Sequence, residues 1–254
     1  MIRQALGIAL IRDRYPLQLY GNFASATHSD RRTPPRHPRT PVIWSVDTGE
    51  RLVALTFDDG PMPRWTPEVL TILEEQAVRA TFFLVGRNVQ AHGGMLAGRH
   101  QHEFANHTWQ HLDLATMDYA AAHDALRRAH VTIARVTGRE PTLFRPPFGH
   151  LAGSSLLAAA DMGYTTVLWN LQMLESDYRD EPQGLVDYIV NTTSPGSIVL
   201  AHDTGAEDRL VAIRGLADMI RRLKRRGYAF VTVGELVAAG TACAATGLPA
   251  PDSK

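Results

Sequence analysis

From Arg51 onward one pattern recurs about seven times: a short β-branched or aromatic run, then a longer segment of helical period. The runs are Leu52 to Phe57, Thr81 to Val85, Glu103 to Ala105, Leu143 to Phe144, Thr165 to Trp169, Ser197 to Leu200 and Ala229 to Thr232. Between them lie helical segments such as Pro67 to Gln76, Asp118 to Val136, Ser154 to Met162, Pro182 to Asn191 and Leu210 to Arg226, several of them closing on a glycine. Parallel strands cannot be joined by tight hairpins and need a crossover, usually a helix. The alternation therefore predicts an α/β fold, a distorted (β/α) barrel of about seven parallel strands with outer helices. Gly93-Gly94, inside Gln90 to Gln101, predicts a broken helix at that point.

The 254 residues suffice for one sizeable domain, and 44% hydrophobic with 20% charged residues is ordinary for a globular chain. Acidic and basic residues balance at 26 each, which leaves no electrostatic footprint for nucleic acid. With Cys243 as the single cysteine there is no internal disulfide and no paired-cysteine metal motif. Near the N-terminus, Ala5 to Ile11 reads as a degraded export signal, because Arg12, Asp13 and Arg14 interrupt it. No run approaches the roughly 18 apolar residues of a membrane span, so none is expected. His28 to Pro41 is proline-rich and basic, which reads as a linker. The expected organisation is an arm over 1–42, a compact domain over 43–240 and a tail over 241–254. Arg221 to Arg226 reads as a solvated helix end suited to the helix dipole.

In such folds chemistry gathers where strands end. Asp58 and Asp59 follow the first run, His107 and His111 the third, Arg145 the fourth, Asp177 the fifth and His202 the sixth. Two adjacent carboxylates raise each other's pKa unless a proton, an arginine or a cation lies nearby. His107 and His111, four apart, would face one way on a helical turn, and two imidazoles with a carboxylate form a three-ligand site for a divalent ion. That donor set suits zinc first, with cobalt or nickel possible. His102 and His107 also flank a Glu103, but their spacing of five does not match the zinc-protease helix. His123 and His130, seven apart in a charged helix, read as surface residues. A phosphoryl-transfer reading of the aspartates lacks the glycine-rich loop it would need. Pro146 and Pro147 stiffen the segment carrying Arg145, which could then orient a carboxylate and keep it ionised. His202, at a strand end near a metal and a carboxylate, is a candidate general acid.

Together these segments, from about Arg51 to Ala239, resemble the polysaccharide deacetylase family, carbohydrate esterase family 4, whose catalytic unit is the nodulation-type deacetylase homology domain. Thr56-Phe57-Asp58-Asp59 is similar to its first motif, implying Asp58 as catalytic base and Asp59 as metal ligand. His107 to His111 is similar to the second, implying both histidines as ligands. Arg145-Pro146-Pro147-Phe148-Gly149 resembles the third, in which the arginine positions the base while Pro147 and Phe148 line the substrate groove. Leu200-Ala201-His202 resembles the fifth, with His202 as general acid and Leu200 beside the acetyl methyl. For the fourth motif the best match is Asp177-Tyr178, where Asp177 would tune His202 and Tyr178 would replace a pocket tryptophan; Asp180 competes for that place.

The resemblance implies a metal-dependent hydrolase that removes N-acetyl groups from an N-acetylglucosamine-containing glycan, peptidoglycan or chitin-like, with water attacking the acetyl carbonyl at the ion. An acetylxylan-type O-deacetylase and a catalytically silent carbohydrate-binding module of the same fold are the alternatives. A glycan substrate would place the protein in the cell envelope or outside the cell.

Overall fold

The computed structural model describes residues 41–205 and 207–246. The apolar run Ala5 to Ile11, the basic proline-rich segment up to residue 40 and the tail from residue 247 lie outside the described residues.

Nine strands form one curled sheet in which every strand pairing is parallel. They are β1 (Val42–Ile43), β2 (Leu52–Asp58), β3 (Thr81–Leu84), β4 (Glu103–Asn106), β5 (Leu143–Phe144), β6 (Thr165–Val167), β7 (Leu171–Gln172), β8 (Ser197–His202) and β9 (Ala229–Val231). All seven runs expected from the sequence are strands; β1 and β7, two residues each, are too short to show a period. The order is β1-β6-β5-β4-β3-β2-β8-β7, and β9 pairs with the first half of β2, on the edge that β3 takes further along. After β1 the chain laces back to β8: Ser45 bridges Ser197, and the Val46 N–H donates to the Gly196 carbonyl at 3.0 Å.

Among the described residues, seven α-helices accompany the sheet: α1 (Trp65–Glu75), α2 (Gly86–His92), α3 (Tyr119–Thr137), α4 (Gly153–Asp161), α5 (Pro182–Thr192), α6 (Leu210–Arg225) and α7 (Val233–Thr246). α3 starts where Asp118 accepts the Ala121 N–H at 2.8 Å and stops at Gly138, whose φ of 72° suits glycine. α2 stops at His92 and a 3₁₀ turn, Gly93–Leu96, replaces its last part, so the expected break is present. α7 continues past residue 240, across the boundary drawn from the sequence.

All seven residues of β2 are buried, and their alternation divides the core. Val53, Leu55 and Phe57 point outward to a cluster with Leu70, Leu73, Ile189, Leu216 and Ile220 from the surrounding helices. Leu52 and Ala54 point inward with Phe83, Ala105, Val167, Ile198 and Leu200. The same parity carries Thr56 and Asp58 inward. In register, Asp58 lies opposite His202 of β8, so two polar side chains share the C-terminal rim.

Candidate metal and catalytic centre

The adjacent carboxylates at the end of β2 are each met by separate positive partners. Asp58 Oδ1 accepts a hydrogen bond from Arg145 Nη1 at 2.6 Å. Arg145 is wholly buried and has no freedom to leave: Nη1 also reaches Thr56 Oγ1 at 2.8 Å, Nε the Val167 carbonyl at 3.2 Å and Nη2 the Leu168 carbonyl at 3.1 Å. Its guanidinium carbon lies 4.0 Å from the centre of the Phe83 ring. Burial lowers its pKa and Asp58 resists that, so the pair is held together by the cost of separating either charge.

Asp59 turns away from Asp58 because its backbone is left-handed, φ 78°. Its Oδ1 is 3.1 Å from His111 Nε2 and 3.5 Å from His107 Nε2, and the three side chains form a compact ligand cluster. His107 Nδ1 donates to the Arg145 carbonyl at 2.7 Å, which fixes the proton there and leaves the Nε2 lone pair facing Asp59 when the ring is neutral. Asp59 Oδ1 is a buried oxygen without a hydrogen bond of good geometry. A carboxylate oxygen and two imidazole nitrogens converge on one point, a donor set that suits a cation; the residues fit a divalent ion with nitrogen and oxygen ligands.

In the absence of an ion the same groups compete for protons. Burial opposes ionisation of Asp59, but contact with His107 and the charges of His107, His202 and His111 outweigh it and hold the carboxyl well below the usual range. Burial also works against the His107 imidazolium, yet Asp58 and Asp59 prevail and its pKa is raised. His111 is lowered, first by burial and then by the charge of His107.

The histidine pair does not ride on a helical turn as its spacing suggested. It flanks a loop in which Thr108 and His111 are both left-handed, φ 70° and 57°. Four hydrogen bonds hold this loop. Asn106 Oδ1 accepts the Thr108 N–H at 2.8 Å, Thr108 Oγ1 accepts the His111 N–H at 3.1 Å, and the N–H groups of Gly86 and Arg87 at the start of α2 donate to the Thr108 and Trp109 carbonyls, both at 2.9 Å. Asn106 is itself held by the hydroxyl of Tyr164, which lies 2.6 Å from His130 Nδ1. His130 is thus half-buried and bonded rather than a free surface group.

Across the rim, His202 Nδ1 donates to both carboxylate oxygens of Glu175, at 3.1 and 3.2 Å, and Glu175 Oε1 also accepts the His202 backbone N–H at 3.2 Å. Burial favours the neutral ring, but the charge and hydrogen bond of Glu175 outweigh it and raise the His202 pKa. The carboxylate behind the candidate acid is therefore Glu175; Asp177 and Asp180 are exposed in the turn that follows. Asp203, wholly buried, accepts from Thr66 Oγ1 at 2.5 Å, and burial pushes its carboxyl up to about 7.

A cavity of about 130 Å³ opens at this rim, lined by Asp58, Asp59, His107, His111, Leu200 and His202, with Phe148, Trp169, Gln172 and Arg209 among its other walls. It has room for an acetyl group. Phe148 is exposed and left-handed, φ 61°, and its ring meets His111 at 4.7 Å between centroids. Pro147 is buried beneath and Pro146 takes the wall position. Tyr178 packs against Tyr188 and leaves the aromatic wall to Trp169. A larger depression of about 880 Å³ lies at the opposite end of the barrel, where His102, Glu103 and Leu143 begin their strands, and none of the groups above lines it.

The polysaccharide deacetylase family model matches residues 45–167. A peptidoglycan-N-acetylglucosamine deacetylase of Bacillus cereus is 37% identical over 200 residues, covering 77% of this chain and 92% of that protein. The chain belongs to the polysaccharide deacetylase family. A second member, a chitin deacetylase of Pestalotiopsis sp, is 30% identical over 208 residues, 78% of this chain and 68% of that protein. Among solved structures, the Bc1960 peptidoglycan N-acetylglucosamine deacetylase superposes with a TM-score of 0.73 at 27% identity, covering 78% of this chain and 92% of that one. Within this polysaccharide deacetylase fold, the sequence motifs located Asp58, Asp59, His107, His111, Arg145, Phe148, Leu200 and His202 at one rim and missed Glu175, Trp169, Gln172 and Arg209. Glu175 carried a weak signal: it follows Leu171-Gln172-Met173-Leu174, apolar but for Gln172, whereas Asp177 sits among Ser176, Tyr178 and Arg179.

Proposed function

We propose that residues 43–240 form a metal-dependent deacetylase that removes N-acetyl groups from N-acetylglucosamine units of peptidoglycan or chitin-like polymers. The observation that carries this reading is a three-ligand cluster flanked by an arginine-held carboxylate, Asp58, and a carboxylate-held histidine, His202, around one cavity. Relatives named for peptidoglycan and chitin deacetylation support the choice of substrate.

Asp59, His107 and His111 would hold the ion, which when bound supplies Lewis acidity to the acetyl carbonyl and to the attacking water. Asp58 is the base. Arg145 occupies its Oδ1, so Oδ2, 3.6 Å from His107 Nε2, is the oxygen left to accept a proton from the water. His202 is the acid. With Nδ1 committed to Glu175, its Nε2 holds the proton that the departing amine nitrogen needs, and the raised pKa keeps that proton in place near neutral pH. Leu200 and Trp169 give the acetyl methyl an apolar wall, and exposed Phe148 offers a face for a sugar ring.

The test is acetate release from an N-acetylglucosamine oligomer and from peptidoglycan by chelator-stripped protein, with and without added zinc, cobalt or nickel. Release that depends on the ion is expected. Metal loading without release from either substrate would contradict the assignment. A faster reaction on an acetylated xylan would instead move it to ester substrates.

A further inference from the structure

Arg209 enters the rim from the start of α6; its charge opposes that of a protonated His202, but it has no assigned part in the proton transfers above. Its Nη1 lies 3.2 Å from Asp59 Oδ2 and 3.3 Å from the Thr204 carbonyl, and about a third of its side chain is exposed. Gly205 makes room for it: a Cβ there would stand 2.6 Å from Arg209 Cδ, on a backbone whose φ is 117°.

The two arginines at the rim hold their carboxylates very differently. Arg145 is buried under four acceptors and cannot move, while Arg209 has two weak ones and an open side toward solvent. Charge at the rim is otherwise closed: Asp58 is matched by Arg145 and Glu175 by His202. With Arg209 on Asp59, a dication meets a carboxylate whose charge is already partly offset. Groups behind a metal ligand usually strengthen it, as a carboxylate behind a histidine does. A guanidinium behind a carboxylate does the reverse, because it draws on the same negative charge and repels the incoming cation.

We propose that Arg209 is a positioning residue that moderates the grip of the site on its ion: it holds Asp59 Oδ2, turns Oδ1 toward the two histidines and weakens the net attraction for a divalent cation. The inference rests on the reading of Asp59, His107 and His111 as the ligands. It follows that the protein exchanges its ion readily and is sensitive to how much is available.

The experiment is a zinc titration against a competing chelator on the full chain, for the parent, Arg209→Met, Arg209→Lys and His107→Ala. Expected are one ion bound by the parent, about tenfold tighter binding and slower release in Arg209→Met, a near-parental constant in Arg209→Lys and loss of binding in His107→Ala. Unchanged or weaker binding in Arg209→Met, beside a parent that binds normally, would overturn the role of Arg209 and leave the ligand assignment standing. A parent that binds no zinc, cobalt or nickel would overturn both.

Discussion

Glu175 governs how far up the pH scale His202 keeps its proton, and this can be read from kinetics. The acid must be protonated to release the amine, so activity is lost as pH rises through the His202 pKa. Glu175→Gln keeps the shape and removes the charge that raises that pKa; the alkaline limb of the pH–rate profile should move to lower pH. An unmoved limb would detach Glu175 from the reaction. Asp58→Asn should lower kcat by about 10²- to 10⁴-fold while leaving metal content intact, whereas His107→Ala should abolish both. Equal metal content in the two variants would refute the division of roles. A proton and an ion compete for His107, whose pKa lies above the ordinary histidine value. Metal affinity should therefore rise with pH, up to about tenfold per unit, and level off only above about 6.5. A flat titration from pH 6 to 8 would show that His107 does not have to lose a proton. Asp58, Asp59 and the histidines were visible in the sequence because strand ends and paired spacing single them out. Glu175 was obscured by three acids close together, Glu175, Asp177 and Asp180, on an irregular turn where no period says which of them faces inward. Arg209 was hidden for a similar reason, behind a glycine turn that reads as the approach to a helix.

At the level of elements, α2 matters more for the N–H groups at its start than for the face it buries. Those of Gly86 and Arg87 hold the loop between the histidines, and Gly86 itself is pressed against that loop and against α3: a Cβ would lie 2.7 Å from Trp109 Cε3 and 2.9 Å from Ala129 Cα. Gly86→Ala should cost about 1–3 kcal/mol of stability and weaken metal binding together. Gly94→Ala, where nothing lies within 4 Å of the added methyl, should be neutral or stabilising by less than about 1 kcal/mol. Denaturant unfolding of both variants, with a metal titration beside it, checks the contrast; a stability loss in Gly86→Ala with unchanged metal affinity would mean that α2 acts only through its packing. The main strands and helices were legible because each runs long enough to show its period. α2 was not, since Gly86–His92 spans barely two turns and has only two fully buried residues, Gly86 and Val89.

For the whole molecule, stability should carry the mark of one buried acid. Asp203 titrates near pH 7 in the fold and at about 3.9 in the unfolded chain. Below about pH 4 both states hold the proton, and between about 4 and 7 only the native state does. The folded protein therefore loses stability over that window, by no more than about 4 kcal/mol. Asp203→Asn should remove this loss, so its advantage over the parent in urea unfolding should grow from pH 4 to pH 8; a constant difference would mean that Asp203 is ionised in the native state. The partnership of β2 with β9 bears on how such a molecule comes into being. Leu52 pairs with Ala229 at one end of β2, while Asp58 pairs with Phe83 and His202 at the other. Contacts so distant along the chain are closed late in folding, because each must first overcome the entropy of a long loop. A chain that stopped short of Ala229 would carry every group given a role in the proposed reaction and still lack the strand that completes the edge of β2. Competence for catalysis should therefore arrive in one step at the end of assembly, with no half-built form that binds its ion and waits.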